Sequence, residues 1–378
     1  MKDLDRRGRR HPLALAAALL PLVLAAPSCR DAVGGGGSPL LWRVALEARD
    51  QQSTVTPATD GTRVYAVAAG VIALDAESGA LLWRAHLERY NPMNVVVRDG
   101  RVFAVEAVAL ALDPATGREL WRFAPDANGA LGFSAADERA LYFGTDSHRV
   151  YALDVATGQP LWSTDVGPDW AFRGTVHGVS VSGDTVYAGV EQYNAANGYV
   201  ASGWIFALDR ATGRVLWSWR NGTGADYHNV ASAPTVAGRL LLASDLLGNA
   251  FFAVDRFTGR EVWRVNGEPG HFGPQQAPVV VGGSAYVASN DTWAYAVDAQ
   301  TGATLWKRKM PASNDAFAVC GNSMFVGWLG LSMLDLSTGR VRYQTAQETG
   351  EFPTSGFATD GQRAFVLGNR AAYAYSCG

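Results

Sequence analysis

The hydrophobic pattern of this chain is one of short strands. Residues 231–265 show it in full, as ASAPTVA (231–237), RLLLAS (239–244), AFFAVD (250–255) and REVWRV (260–265), separated by Gly, Asn or Thr-Gly. Gly and Asn between apolar runs of this length mark turns, so the stretch predicts four short strands. The strands are apolar on both faces with little polar alternation. That composition suits sheets covered on both sides, as they are when four-stranded blades stack around an axis.

The unit repeats. ALDAESGALLW (73–83), ALDPATGRELW (111–121), ALDVATGQPLW (152–162), ALDRATGRVLW (207–217), AVDRFTGREVW (253–263) and AVDAQTGATLW (296–306) share one template, and MLDLSTGRVRY (333–343) replaces the Trp by Tyr343. Two half-copies remain: LLWRVALE (40–47) is a Trp strand with nothing before it, and AAYAYS (371–376) is an ALD-like strand with nothing after it. Each half completes the other, which predicts eight blades closed by the strand at 40–47. The fixed residues have mechanical jobs. Asp75, Asp113, Asp154, Asp209, Asp255 and Asp298 bracket a tight turn with the following Ser or Thr, and Gly79, Gly117, Gly158, Gly213, Gly259 and Gly302 supply positive φ. Trp83, Trp121, Trp162, Trp217, Trp263 and Trp306 are large flat groups suited to the wedge between neighbouring blades.

These motifs resemble the tryptophan-docking repeats of the pyrroloquinoline-quinone (PQQ)-type β-propellers, over residues 40–376. Members include eight-bladed quinoprotein dehydrogenases and the BamB-like lipoproteins of outer-membrane β-barrel assembly. A lipidated single-domain chain of this length looks closest to the latter. The resemblance implies an all-β, eight-bladed propeller acting as a non-catalytic protein-binding scaffold, with a partner in the envelope or outer membrane and no cofactor. The alternative within the family is a quinoprotein dehydrogenase holding PQQ with Ca²⁺ through Glu, Asn and Asp ligands. This chain has no adjacent Cys pair of the kind many such enzymes carry, and its polar residues do not align as that ligand set.

The ends of the chain add an address. Residues 1–28 read as a signal peptide, with Lys2, Arg6, Arg7, Arg9 and Arg10 before a short apolar run. APSC (26–29) looks like the lipobox of bacterial lipoproteins, making Cys29 the expected lipidation site. Residues 30–39 have the composition of a flexible tether. The domain proper is expected over 40–378, exported and anchored by lipid, with the outer membrane favoured because Arg30 is not an inner-membrane retention signal of the Asp type.

Charge and cysteines narrow the chemistry. Without residues 1–28, 27 basic and 33 acidic side chains remain, a formal charge of −6, which argues against nucleic acid as a partner. Cys320 and Cys377 could form one disulfide or stay as two buried thiols. No zinc-type Cys/His spacing, GxSxG, HExxH or phosphate-binding loop occurs.

Loop length locates the expected function. The DxxTG turns lie on one face and hardly vary, whereas the opposite face carries all the large variation: 163–175 and 191–203 in blade four, 218–230 in blade five and 266–276 in blade six. Trp170, Phe172, Arg173, Tyr193, Tyr199, Trp219, Arg220, Tyr227 and Phe272 cluster there, and Tyr, Trp and Arg dominate interface hot spots. Aligning the units also places Val55, Asn94, Gly132, His177, Ser232, Gln276, Asp315 and Ser355 around the channel mouth on this face, read as a hydrated rim. His177 with His228 and His271 is the competing metal pocket, weakened by their unequal offsets; no metal is expected.

Overall fold

A computed structural model describes residues 38–47, 55–87, 94–105, 107–125, 132–167, 174–193, 200–222, 228–311, 316–327, 330–345 and 353–378. Eight four-stranded antiparallel sheets form the eight blades. Seven are consecutive in sequence. The eighth joins Pro353–Thr359, Arg363–Gly368 and Ala371–Ser376 to the N-terminal strand Leu40–Ala45, with Trp42 opposite Ala374 and Val44 opposite Ala372. The two half-copies therefore meet as their sequences require.

The core is divided into eight apolar clusters, one at each seam between neighbouring blades. This explains why inner strands are apolar on both faces: in Ala140–Gly144 every residue is buried, because each face meets a different neighbour. Outer strands face solvent along their free edge, and Leu41, Leu82 and Leu305 are about half exposed there.

The DxxTG turn is built as its residues predict. Asp113 Oδ1 accepts from the Ala115 and Thr116 amides at 3.1 and 2.8 Å and from Thr116 Oγ1 at 2.7 Å. The indole N–H of each of the seven docking tryptophans, Trp42 included, donates to the carbonyl one residue past the turn Asp of the following blade, at 2.7–3.1 Å. The turn glycine has a second duty besides its positive φ. A Cβ on Gly117 would lie 2.5 Å from the Trp83 ring, and one on Gly158 would lie 2.6 Å from Trp121. Only a residue without a side chain lets the preceding blade's indole lie flat on the turn.

One seam departs from this plan. Blade seven ends in Tyr343 and blade eight has no DxxTG turn, because its third and fourth strands come from opposite ends of the chain. There Cys320, closing the first strand of blade seven, is disulfide-bonded to Cys377, with Cα atoms 5.4 Å apart. Ser323 Oγ donates to the Cys377 carbonyl at 2.8 Å beside it.

Candidate interaction face

At the end of the blades away from the turns, blades four to six break the repeat. The second and third strands of blade four, Thr185–Tyr193 and Val200–Asp209, have nine and ten residues against five or six in most other blades. Much of 191–203 expected as loop is hairpin: Glu191 pairs with Gly203 and Gln192 with Ser202. Likewise Ser218–Asn221 continues the outer strand of blade four. Asn and Gly mark a turn here, but Tyr193 pairs with Val200 beside them and carries the ladder outward.

A buried polar chain crosses the seam between blades four and five. His177 Nε2 lies 2.7 Å from Glu191 Oε2, an ion-pair contact whose angle is off the line of a hydrogen bond. Asn229 Nδ2 donates to Glu191 Oε1 at 2.5 Å, and the Asn229 amide donates to Asp245 Oδ1 at 3.1 Å. Asp245, wholly buried, also accepts from the Gly248 amide and Asn221 Nδ2, and faces Arg264 at 3.7 Å. His228 Nδ1 completes the chain 2.5 Å from Asp245 Oδ2. Glycines clasp the His228 ring: a Cβ on Gly222 or Gly248 would come within 2.3 Å of it. Burial pushes the Glu191 carboxyl upward, but the close approach of His177 and the bonds from Asn229 and Tyr193 outweigh it and hold it below its ordinary value.

A third pair, His148 Nδ1 to Asp165 Oδ1 at 2.7 Å, stands where the 163–175 segment leaves blade three. Three of the four long segments, 163–175, 191–203 and 218–230, are thus fastened near their base by a histidine and a carboxylate. Such pairing orients the ring and fixes which nitrogen faces outward. It supplies neither an adjacent nucleophile nor a ligand shell: among the described residues no group of three His, Cys, Asp or Glu side chains could hold a metal ion.

The quinone-and-Ca²⁺ alternative calls for free hard oxygen donors. The carboxylates present are already committed. Asp245 is saturated as described, Glu191 accepts from Asn229 and Tyr193, and Asp291 accepts from the Glu268 and Trp293 amides and from the Tyr295 hydroxyl. Asn249 Oδ1 is a buried acceptor without a hydrogen-bond partner, and one amide oxygen is not a cation site. None of these three carboxylates is free for that cofactor pair.

The expected partner-binding residues separate into kinds. Tyr193 donates to Glu191 at 3.2 Å, and Trp219 packs on Phe252 with ring centroids 4.9 Å apart, so both brace the seam. Arg220 is exposed, with its guanidinium 5.8 Å from the Trp204 ring centroid, and Phe272 is 61% exposed. Trp170, Phe172, Arg173, Tyr199, Tyr227, Asp315 and Cys29 lie outside the described residues.

The channel-mouth ring differs from its expected hydrated rim. Asn94, Ser232 and Ser355 are buried: Asn94 accepts from Ser134 Oγ of the next blade at 2.6 Å, and Ser355 Oγ donates to the Gly356 carbonyl. Small polar side chains at this point turn inward, where Ser134 of the next blade satisfies Asn94 and the backbone of its own blade satisfies Ser355. Ser232 Oγ is the exception, without a partner, and Gln276 is partly buried. Repeat alignment missed Glu191, Asn221, Asn229, Asp245 and Arg264. The available signal was an acidic residue ending an otherwise apolar strand, as in LLLASD (240–245).

Comparison with known proteins follows the architecture. The outer membrane protein assembly factor BamB of Yersinia pestis is 27% identical over 73% of this chain and 62% of its own length. Tetrathionate hydrolase of Acidithiobacillus ferrooxidans is 28% identical over 44% of this chain and 30% of its own length. Quinoprotein ethanol dehydrogenase of Pseudomonas putida is 27% identical over 36% of this chain and 23% of its own length. The chain thus spans less than two thirds of the length of each of these curated relatives. Among solved structures, BamB from Moraxella catarrhalis superposes with a TM-score of 0.66 at 18% identity, covering 89% of this chain and 97% of that one. Quinohemoprotein alcohol dehydrogenase from Comamonas testosteroni gives 0.69 at 16% identity, covering 90% and 76%; at these identities the likeness is one of fold. The family profile described as outer membrane protein assembly factor BamB matches residues 35–197, 105–251 and 201–376, and the chain belongs to that family.

Proposed function

We propose that this protein is an exported, lipid-anchored, non-catalytic scaffold with a BamB-like part in outer-membrane protein assembly, gripping an envelope partner through the loop face of blades four to six. The observation that carries the reading is the break in the repeat: a nearly uniform propeller departs from its template in one arc and fastens that arc with buried hydrogen bonds. Rigid placement of variable segments is what a recognition surface needs. The family match supports the outer-membrane setting, and the signal-like residues 1–28 with Cys29 support export and anchoring.

Crosslinking and pull-down from native membranes test it. Wild type should capture a partner that Arg220→Glu/Phe272→Ala captures poorly; equal capture by that variant, with its thermal unfolding unchanged, removes the arc from the proposal. Cys29→Ser should move the protein out of the membrane fraction. The quinoprotein relatives keep one competing reading alive. Incubation with PQQ and Ca²⁺ should give no saturable binding and no alcohol-dependent dye reduction, and either result would replace the scaffold with an enzyme.

A further inference from the structure

The outer edge of blade six carries a charge pattern found nowhere else on the chain. After Lys2 the protein has only two lysines, Lys307 and Lys309, and arginine serves at every other basic position. Both lie in the outer strand Thr304–Lys309, and both reach one indole: Lys307 Nζ is 4.3 Å and Lys309 Nζ 5.1 Å from the Trp293 ring centroid. Leu305, at the bulge of the same strand, is 55% exposed. Glu268 bonds Lys307 at 2.5 Å and also lies in the field of Lys309 and His271, which brings the 266–276 segment against this edge; Phe272 of that segment is 61% exposed.

We infer that this edge of blade six docks on an anionic lipid surface, its lysines meeting phosphate headgroups and Phe272 and Leu305 entering the apolar boundary beneath them. Charge complementarity selects this occupant. The body from residue 29 onward is net acidic, yet the outer strand of blade six carries three cationic side chains in a row, Lys307, Arg308 and Lys309. Lysine ammoniums beside Trp and exposed Phe and Leu form the combination that settles at a bilayer interface. An acidic peptide would satisfy the lysines but leave the two exposed apolar side chains in water. The inference does not depend on the protein-partner reading or on the anchor.

Residues 38–378 contain all eight sheets, and the ring closes within them, so this portion can be tested without the apolar leader. Flotation with vesicles of phosphatidylcholine alone, and with about 30% phosphatidylglycerol added, should give binding only to the anionic set, weakened by salt. Lys307→Ala/Lys309→Ala should lower binding roughly 20-fold, Lys307→Arg/Lys309→Arg should restore most of it, and Phe272→Ala should lower it several-fold. Inorganic phosphate at a concentration that leaves vesicle binding intact distinguishes a membrane surface from a free-anion site. Equal binding to neutral and anionic vesicles, no loss in the lysine-to-alanine variant, or binding to poly-glutamate without binding to vesicles would each overturn the inference.

Discussion

At the turn end of blade four, Asp209 folds the chain onto its own backbone, Thr212 seconds it, and Trp162 of the preceding blade lies on Gly213. At the opposite end of the same strands, Glu191 reaches across to blade five through Asn229 and keeps His177 beside it. The turn end solves one local problem alike at seven of the eight seams, with short-range bonds and one indole. The loop end uses a branched polar chain that, among the described residues, joins blades four and five. A repeated device fixes the shape, and a single device fixes a place on that shape.

The largest expected effect falls on the repeated device. Trp121→Ala removes an indole from a seam and its bond to the Val155 carbonyl, and should cost about 4 kcal/mol and lower the melting temperature by about 5 °C. Asp245→Ala should cost about 3 kcal/mol, because His228 and Arg264 lose their buried partner, yet the loss should be local. Hydrogen exchange at the Asn229 and Gly248 amides should accelerate while the Thr212 amide keeps its protection. Equal acceleration at both ends would erase the distinction between them.

Reduction of the Cys320–Cys377 bond should cost about 3 kcal/mol, within the usual range for a native disulfide, read as a lower melting temperature in reductant that Cys377→Ser reproduces without it. The smallest effect per group belongs to the turn carboxylates. Hydrogen bonds from Thr116 and Thr157 hold Asp113 and Asp154 below their ordinary values, and those from Ser337 and Thr338 bring Asp335 to about 2. A carboxyl depressed in the folded state stabilises it above the ordinary value near 4, a benefit lost as pH falls through the depressed values. Melting temperature should therefore decline steadily between about pH 4 and pH 2; a flat profile there would remove these turns from the stability of the ring.

Sequence revealed the turn end because it recurs. Asp113, Thr116 and Gly117 stand in one phrase, and its copies number the blades. The second role of Gly117 was hidden, since the Trp83 ring that presses on it belongs to the previous blade. The disulfide was hidden for a similar reason: its cysteines are 57 residues apart, and only ring closure brings them together. Glu191, Asn229 and Asp245 share no template with other blades, and their bonds join strands from different units. Among the aromatics of the long segments, nothing in their order distinguished Trp219, which braces a seam, from Phe272, which faces solvent.

The closing strand has a mechanical consequence. Leu40–Ala45 is held to the ring by its ladder to Ala371–Ser376 and by the Trp42 indole bonded to the Ala76 carbonyl. The disulfide joins blades seven and eight but does not include this strand. Tension applied through the chain ahead of Leu40 would act first on the outermost ladder of the propeller, while the cystine kept the remaining three strands of blade eight in place. Under load the ring would open there, at blade eight, with Trp42 as the catch that must release from blade one.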